Sequence, residues 1–151
     1  AKLEILPLTN WAKNKLDNNP PEKLVIDSNG IGAGVYSNLK EGGYPVIGFR
    51  GGESPLMLSE EAKFANLKSQ AYWNLRSLFE KGEIRIQKVP NFKKLVSELS
   101  TIKYDFDSKG KIIVKREKDK KSPDFADALS LCCFGPYLSA QKLGVALVDI
   151  W

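Results

Sequence analysis

The chain has 151 residues, 42% of them hydrophobic and 27% charged, with three Trp, seven Phe and five Tyr. This is the make-up of one globular domain that buries about two-thirds of its unfolded surface without a metal or disulfide staple. It excludes a disordered chain, a membrane span of about 18 apolar residues and, from Ala-Lys-Leu-Glu-Ile at the N-terminus, a secretory signal, so a cytosolic setting is expected. The formal charge of +5 comes from 23 basic and 18 acidic side chains, and the whole excess lies in residues 109–121, KGKIIVKREKDKK.

Residues 3–8, where Leu3 and Ile5 alternate with Lys2 and Glu4, read as an extended opening. A short helix follows from Asn10 as N-cap to about Leu16, broken by Asn18-Asn19-Pro20-Pro21. Residues 23–27 form a continuous apolar run ending in Asp27, the pattern of a strand covered on both faces. Ser28-Asn29-Gly30 supplies a turn, residues 31–39 a second helix stopped at Gly42-Gly43, and residues 44–49 another buried strand. This alternation predicts an α/β sheet with at least one parallel pair.

The longest predicted helix runs over 60–81, with Phe64, Leu67, Ala71, Leu75, Leu78 and Phe79 three or four apart and Gly82 at its end. Residues 83–87 alternate as a half-buried strand, and Asn91 caps a helix bearing Phe92, Leu95, Val96 and Leu99. Tyr104-Asp105-Phe106, a turn at 107–110 and residues 111–115 form a β-hairpin. The last helix spans 124 to about 134, capped by Ser122 with Pro123 in its first position, and the apolar tail beyond Gly135-Pro136 carries no assignment. There is no internal repeat and no linker that would divide the chain.

Two absences narrow the chemistry. The chain has no His, which excludes histidine-based triads and histidine metal ligation within it. Its two Cys are adjacent, Cys132-Cys133, and neighbouring helical positions make neither an ordinary disulfide nor a zinc half-site, so core thiols are expected. Carboxylates, lysines, hydroxyls and oxygen-bound metal ions remain.

Asp27 ends a buried strand, where open α/β sheets place ligand sites, although an Asp there also serves to cap the next helix. Gly30, Gly32 and Gly34 do not make a dinucleotide fingerprint, because Val35 stands in the third glycine's place, and there is no Walker A loop. These glycines read instead as close-packing positions. Asp124 and Asp127, three apart, share one helix face. Taken alone they are an acidic first turn favoured by the helix dipole. Taken with Asp27, a strand-end and a helix carboxylate can converge on Mg²⁺ or Mn²⁺, the arrangement of two-metal phosphodiester cleavage. The basic segment then becomes a phosphate-holding arm, formed by Lys111, Lys115, Arg116, Lys118, Lys120 and Lys121, and otherwise a solvated lysine-rich hairpin.

The stretches VIDSNGIGAGVYSNL (25–39), FANLKSQAYWNLRSLFEKGEIRI (64–86) and KGKIIVKREKDKKSPDFADAL (109–129) occur in an order and spacing that resembles the nuclease domain of the tailed-bacteriophage terminase large subunit. The resemblance implies an α/β, ribonuclease H-like mixed sheet flanked by helices, N-terminally truncated and with an added β-hairpin. It would be a single partial nuclease domain over 1–151, containing the basic hairpin and loop at 102–121. It implies endonucleolytic cutting of concatemeric double-stranded DNA with Mg²⁺ or Mn²⁺. Asp27 resembles the second catalytic acid, and Asp127, or its neighbour Asp124, the last. We favour Asp127 as the metal ligand, because a place in the first helical turn already accounts for Asp124. The long helix with Phe64, Asn66 and Trp73 reads as scaffold, with Asn66, Lys68 and Arg76 as its DNA-facing candidates. The family's first acid, on a strand of an N-terminal meander, has no counterpart at the front of this sequence, where Glu4 is the only carboxylate in the opening segment. The expectation is a C-terminal fragment of a longer phage or prophage protein in the bacterial host's cytoplasm. Its implied partners are DNA, an ATPase domain, a small terminase subunit and a portal, with no membrane. The competing expectations are a catalytically silent DNA-binding or assembly module of the packaging motor and a nucleotide-binding α/β domain with phosphate at the Gly30 turn.

Overall fold

A computed structural model describes residues 2–56, 63–88, 90–116 and 122–142. In chain order the elements are α1 (Lys2–Asn18), β1 (Leu24–Asp27), α2 (Ile31–Glu41), β2 (Val46–Phe49), α3 (Leu67–Glu80), α4 (Phe92–Thr101), β3 (Ile102–Phe106), β4 (Ile112–Arg116) and α5 (Asp124–Lys142). The predicted mixed α/β class holds. Among the described residues β1 and β2 pair in parallel, Leu24 opposite Val46 through Asp27 opposite Phe49, and β3 and β4 form an antiparallel hairpin. No helix among them is long and apolar enough to cross a membrane.

Helices cover both faces of the parallel pair. On one side Leu24, Ile26 and Val46 pack on Val35 and Leu39 of α2 and on Leu16 of α1. On the other, Val25, Ile47 and Phe49 meet Leu67 and Ala71 of α3 and Phe134 and Leu138 of α5. Alternate residues of one strand therefore enter different cores, which is why the run reads as continuously apolar. Gly32 lets the start of α2 abut the strand end, since a Cβ there would lie 1.8 Å from the Asp27 carbonyl oxygen. Gly34 does the same against Ile5 of α1 rather than against the sheet.

Several boundaries differ from the sequence expectation. The opening is helical, not extended, and Asn10 lies within α1 instead of capping it. The burial of Ile5, Thr9, Ala12 and Leu16 follows helical spacing, and that stripe outweighs the four-residue alternation and the hydrogen bond that Pro7 removes. The long helix starts at Leu67, where the Asn66 side chain accepts from the Ser69 N–H at 2.9 Å; Phe64 lies before it and bridges to Ile112. Residues 83–87 are not a strand, because no described segment pairs with them. Asn91 precedes α4 with φ of 71° and makes no side-chain cap. The N-terminus of α5 is capped by Glu98 of α4, whose Oε2 accepts from the Phe125 and Ala126 N–H groups at 2.7 and 3.0 Å, in place of Ser122. α5 also continues through Gly135-Pro136 to Lys142, because Gly135 serves close packing, its missing Cβ leaving room for Val25. The thiols are not both core: Cys132 is exposed and Cys133 half-buried, with burial raising the Cys133 thiol above its ordinary range.

The hairpin docks on α3. The Val114 N–H donates to Ser69 Oγ at 2.9 Å while that hydroxyl donates to Asn66 Oδ1 at 2.8 Å, so the residue that caps α3 also ties the hairpin to it. Trp73 contacts Tyr104 edge-on at 5.3 Å, and the Arg76 guanidinium lies 4.6 Å from the Trp73 ring centre.

Candidate metal centre

Asp27 and Asp127, 100 positions apart in sequence, line one cavity of about 250 Å³ together with Asn66, Lys68, Tyr72 and Ser130. Asp27 reaches it because β1 ends there. Its Oδ1 accepts from the Asn29 backbone N–H at 3.1 Å and from Asn29 Nδ2 at 2.8 Å, while α2 has no side-chain cap, so this carboxylate orients its own turn and does not cap the helix. Its second oxygen, Oδ2, receives none of these bonds.

Asp127 is held more firmly. Lys68 Nζ lies 2.8 Å from Asp127 Oδ1, and the Tyr72 hydroxyl donates to the same oxygen at 2.6 Å. Lys68 and Tyr72 are four apart on α3, so both reach one point on α5. The Lys68 ammonium also lies 5.7 Å from the Tyr72 ring centre. The Lys68 stem passes Gly51, where a Cβ would come within 3.0 Å of its own Cβ. Burial first, then the bond to Asp127, raises the Tyr72 hydroxyl far above the ordinary phenol range, so it remains a donor.

One turn on from Asp127, Ser130 is 2% exposed, and its Oγ has no hydrogen-bond partner among the described residues. A hydroxyl buried without a partner costs about 1–3 kcal/mol, and this one lines the cavity that holds both carboxylates. Asp124 is exposed and lines only a larger trough of about 830 Å³ beside α5 and β1. All three aspartates line that trough, and Asp27 and Asp127 line the smaller cavity as well. Two carboxylates and a hydroxyl are hard oxygen donors of the kind that suits Mg²⁺ or Mn²⁺. No group of three or more acidic, Cys or His side chains placed to hold a metal occurs among the described residues.

Of the proposed basic arm, Lys115 is exposed and pairs with Asp105 at 2.7 Å, which lowers the Asp105 carboxyl below its ordinary range. Lys111 lies in the turn, where its backbone N–H donates to Asp107 Oδ1 at 2.9 Å. Arg116 ends β4, and Lys118, Lys120 and Lys121 lie outside the described residues. Sequence reasoning placed Lys68 only as a DNA-facing candidate and passed over Tyr72 and Ser130. Their helical offsets, 68 to 72 and 127 to 130, were the available signal.

No protein-family model and no curated protein matches the chain. Among solved structures it is similar to the nuclease domain of the large terminase subunit gp2 of bacterial virus Sf6, at 22% identity and a TM-score of 0.65, covering 83% of this chain and 70% of that one. A variant of that domain solved with manganese gives 23% identity and a TM-score of 0.64, with 83% and 71% covered. The large terminase nuclease from thermophilic phage G20c with bound magnesium gives 22% and 0.57, and this chain spans 59% of its length. At these identities the likeness is one of fold, and the chain shares the fold of these phage large-terminase nuclease domains.

Proposed function

We propose that the chain is a Mg²⁺- or Mn²⁺-dependent endonuclease domain that cuts concatemeric double-stranded DNA during viral genome packaging. The observation that carries this reading is the shared cavity of Asp27 and Asp127, within the fold of nuclease domains solved with manganese and magnesium. Asp27 and Asp127 are the catalytic acids that hold the metal, and Asp124 is an outer carboxylate. A bound divalent cation would supply Lewis acidity toward a phosphoryl oxygen and a more acidic water. The chain's own residues do the positioning. Tyr72 and Lys68 fix the Asp127 carboxylate from α3, Asn29 fixes Asp27, and Ser130 offers a hydroxyl to a water or ligand in the cavity. The domain is one nuclease unit over 1–151. In a packaging motor its partners are DNA, an ATPase domain, a small subunit and a portal, in the host cytoplasm.

The direct test is Mn²⁺ titration, followed by electron paramagnetic resonance, alongside incubation with supercoiled plasmid. Saturable binding with nicked or linear product is the expected result. DNA binding without either would assign the chain to the silent-module reading.

The hairpin and loop at 102–121 are the phosphate-gripping part, with Lys111, Lys115, Arg116, Lys118, Lys120 and Lys121 as the DNA contacts. The Lys115 pair with Asp105 is more than half exposed and is worth little in water, so a phosphate can displace it. Replacing Lys115, Arg116 and Lys118 by Ala is expected to lower the slope of log affinity against log salt by about 2 to 3, near 0.9 per lost phosphate contact. Fluorescence anisotropy over a salt series measures it, and an unchanged slope would return the segment to a solubility role.

A further inference from the structure

The hairpin exposes aromatic rings on its outer strand. β4 is the inner one: on the edge away from β3, the Val114 N–H donates to Ser69 Oγ and the Ile112 carbonyl accepts from the Ala65 N–H at 2.9 Å. On β3, Tyr104 and Phe106 are two apart and share a face, and they are 49% and 59% exposed. They end a series of rings that begins in the core. The buried Phe64 lies 6.1 Å from Trp73, Trp73 meets Tyr104 edge-on, and Tyr104 meets Phe106 edge-on at 6.2 Å. No ring in this series lies flat on its neighbour, so the contacts fix the rings without stacking them.

Beside Tyr104 a groove of about 270 Å³ runs between α3 and β3, walled by Trp73, Arg76, Phe79, Lys103 and Tyr104 with the buried Leu75 beneath. Phe79 is 42% exposed. Single exposed apolar side chains need no explanation, but three exposed rings at one groove and its lip mark a contact surface. The walls are set in advance. Arg76 bonds to Glu80 at 2.8 Å and to Tyr104, and its guanidinium lies 5.4 Å from the Tyr104 ring centre.

Size and charge select the occupant. The volume falls below the roughly 300–1,000 Å³ that encloses a drug-sized ligand, which leaves room for one flat ring system and not for a helix with anchors on successive turns. Residues 102–116 carry five basic against two acidic side chains. Lys103 and Lys115 stand opposite each other across the ladder, a like-charge pair that a phosphate would bridge. Exposed rings interleaved with cations are the recognition pattern for single-stranded nucleic acid, whose base faces are free to stack.

We propose that this groove and its aromatic lip stack the unpaired bases of single-stranded DNA while the lysines of the same hairpin hold its phosphates. In a duplex each base face is covered by the next pair, so the site selects a frayed or newly cut end. The phosphate half rests on the DNA-gripping role proposed above for the hairpin, and the stacking half does not.

The test compares the unaltered chain with Tyr104→Leu/Phe106→Leu, which keeps apolar side chains and removes both ring faces. Binding of a short oligothymidylate and of a duplex of equal length is followed by fluorescence anisotropy over a salt series. Oligothymidylate affinity is expected to fall at least about tenfold, with its salt slope unchanged and duplex affinity within about twofold, since the phosphate contacts remain. Phe106→Leu alone, at the most exposed ring, should give a loss of at least about threefold, and it carries the test if the double variant does not fold. Unchanged oligothymidylate affinity, or an equal loss for both DNAs, would overturn the stacking site. Oligothymidylate binding that is lost in the variant, with no duplex binding by the unaltered chain, would overturn the duplex-gripping role and leave the stacking site standing.

Discussion

Asp27→Asn is expected to lower metal-dependent cleavage by at least about 1,000-fold and to leave the melting temperature within about 2 °C of the unaltered chain. The substitution is nearly isosteric, and the amide oxygen can still accept both Asn29 bonds, at 3.1 and 2.8 Å, so the β1 turn is preserved. On the proposed reading, what disappears is one negative charge at a metal ligand, a loss of several kcal/mol in stabilising a phosphoryl transition state, and each 1.4 kcal/mol is about tenfold in rate. The Asp27 side chain is exposed, so its folding contribution is small. Asp124→Asn is the matched comparison. Asp124 lines only the outer trough, and a rate within about threefold of the unaltered chain is expected. Both rates come from plasmid conversion at saturating Mn²⁺, with circular dichroism melts on the same samples. A comparable loss from Asp124→Asn would move the last metal ligand one turn along α5.

The contrast between Asp27 and Asp127 shows how much of the site the sequence could carry. Asp27 was legible because an apolar run ending in a carboxylate puts a charge at a buried strand's end, where capping the next helix is the competing use, and the hairpin because Asp107 and Gly110 form a turn whose bonds are local: the Asp107 N–H donates to the Lys111 carbonyl at 2.8 Å. Asp127 was legible as an acidic first turn but not as the partner of Lys68 and Tyr72, since nothing in either segment encodes that α3 and α5 lie side by side. Helix boundaries failed for the same reason. The alternation at the opening was a four-residue signal, overridden by a helical stripe that runs to Leu16. Gly135-Pro136 reads locally as a stop, yet there the helix gains Val25 and Phe49 as neighbours and keeps going. Residues 83–87 alternate correctly but lack a paired strand, and a strand pattern has no energetic value without one.

Position 134 is where the packing of α5 and the geometry of the site meet, and Phe134→Ala is expected to destabilise the fold by about 3–5 kcal/mol. Phe134 is 1% exposed, lies in one core with Ile47, Phe49, Leu67 and Ala71, and stacks on Tyr137 at 5.3 Å. Its removal leaves a cavity between the parallel strands and two helices, which rigid neighbours fill only in part. For a chain of this size each kcal/mol moves the melting temperature by about 2–4 °C, so a fall of about 10 °C is the expected reading. Phe106→Ala, at a ring 59% exposed on the hairpin, should cost less than about 0.5 kcal/mol. The large loss carries a functional consequence, because Phe134 sits two turns beyond Asp127 on the same helix and presses α5 against the sheet that ends in Asp27. Mn²⁺ affinity is therefore expected to fall in Phe134→Ala even below its melting point, and to be unchanged in Phe106→Ala. Binding isotherms taken well below both melting transitions separate the two effects. If the folded Phe134→Ala protein bound Mn²⁺ as tightly as the unaltered chain, the two carboxylates would not depend on this packing for their approach.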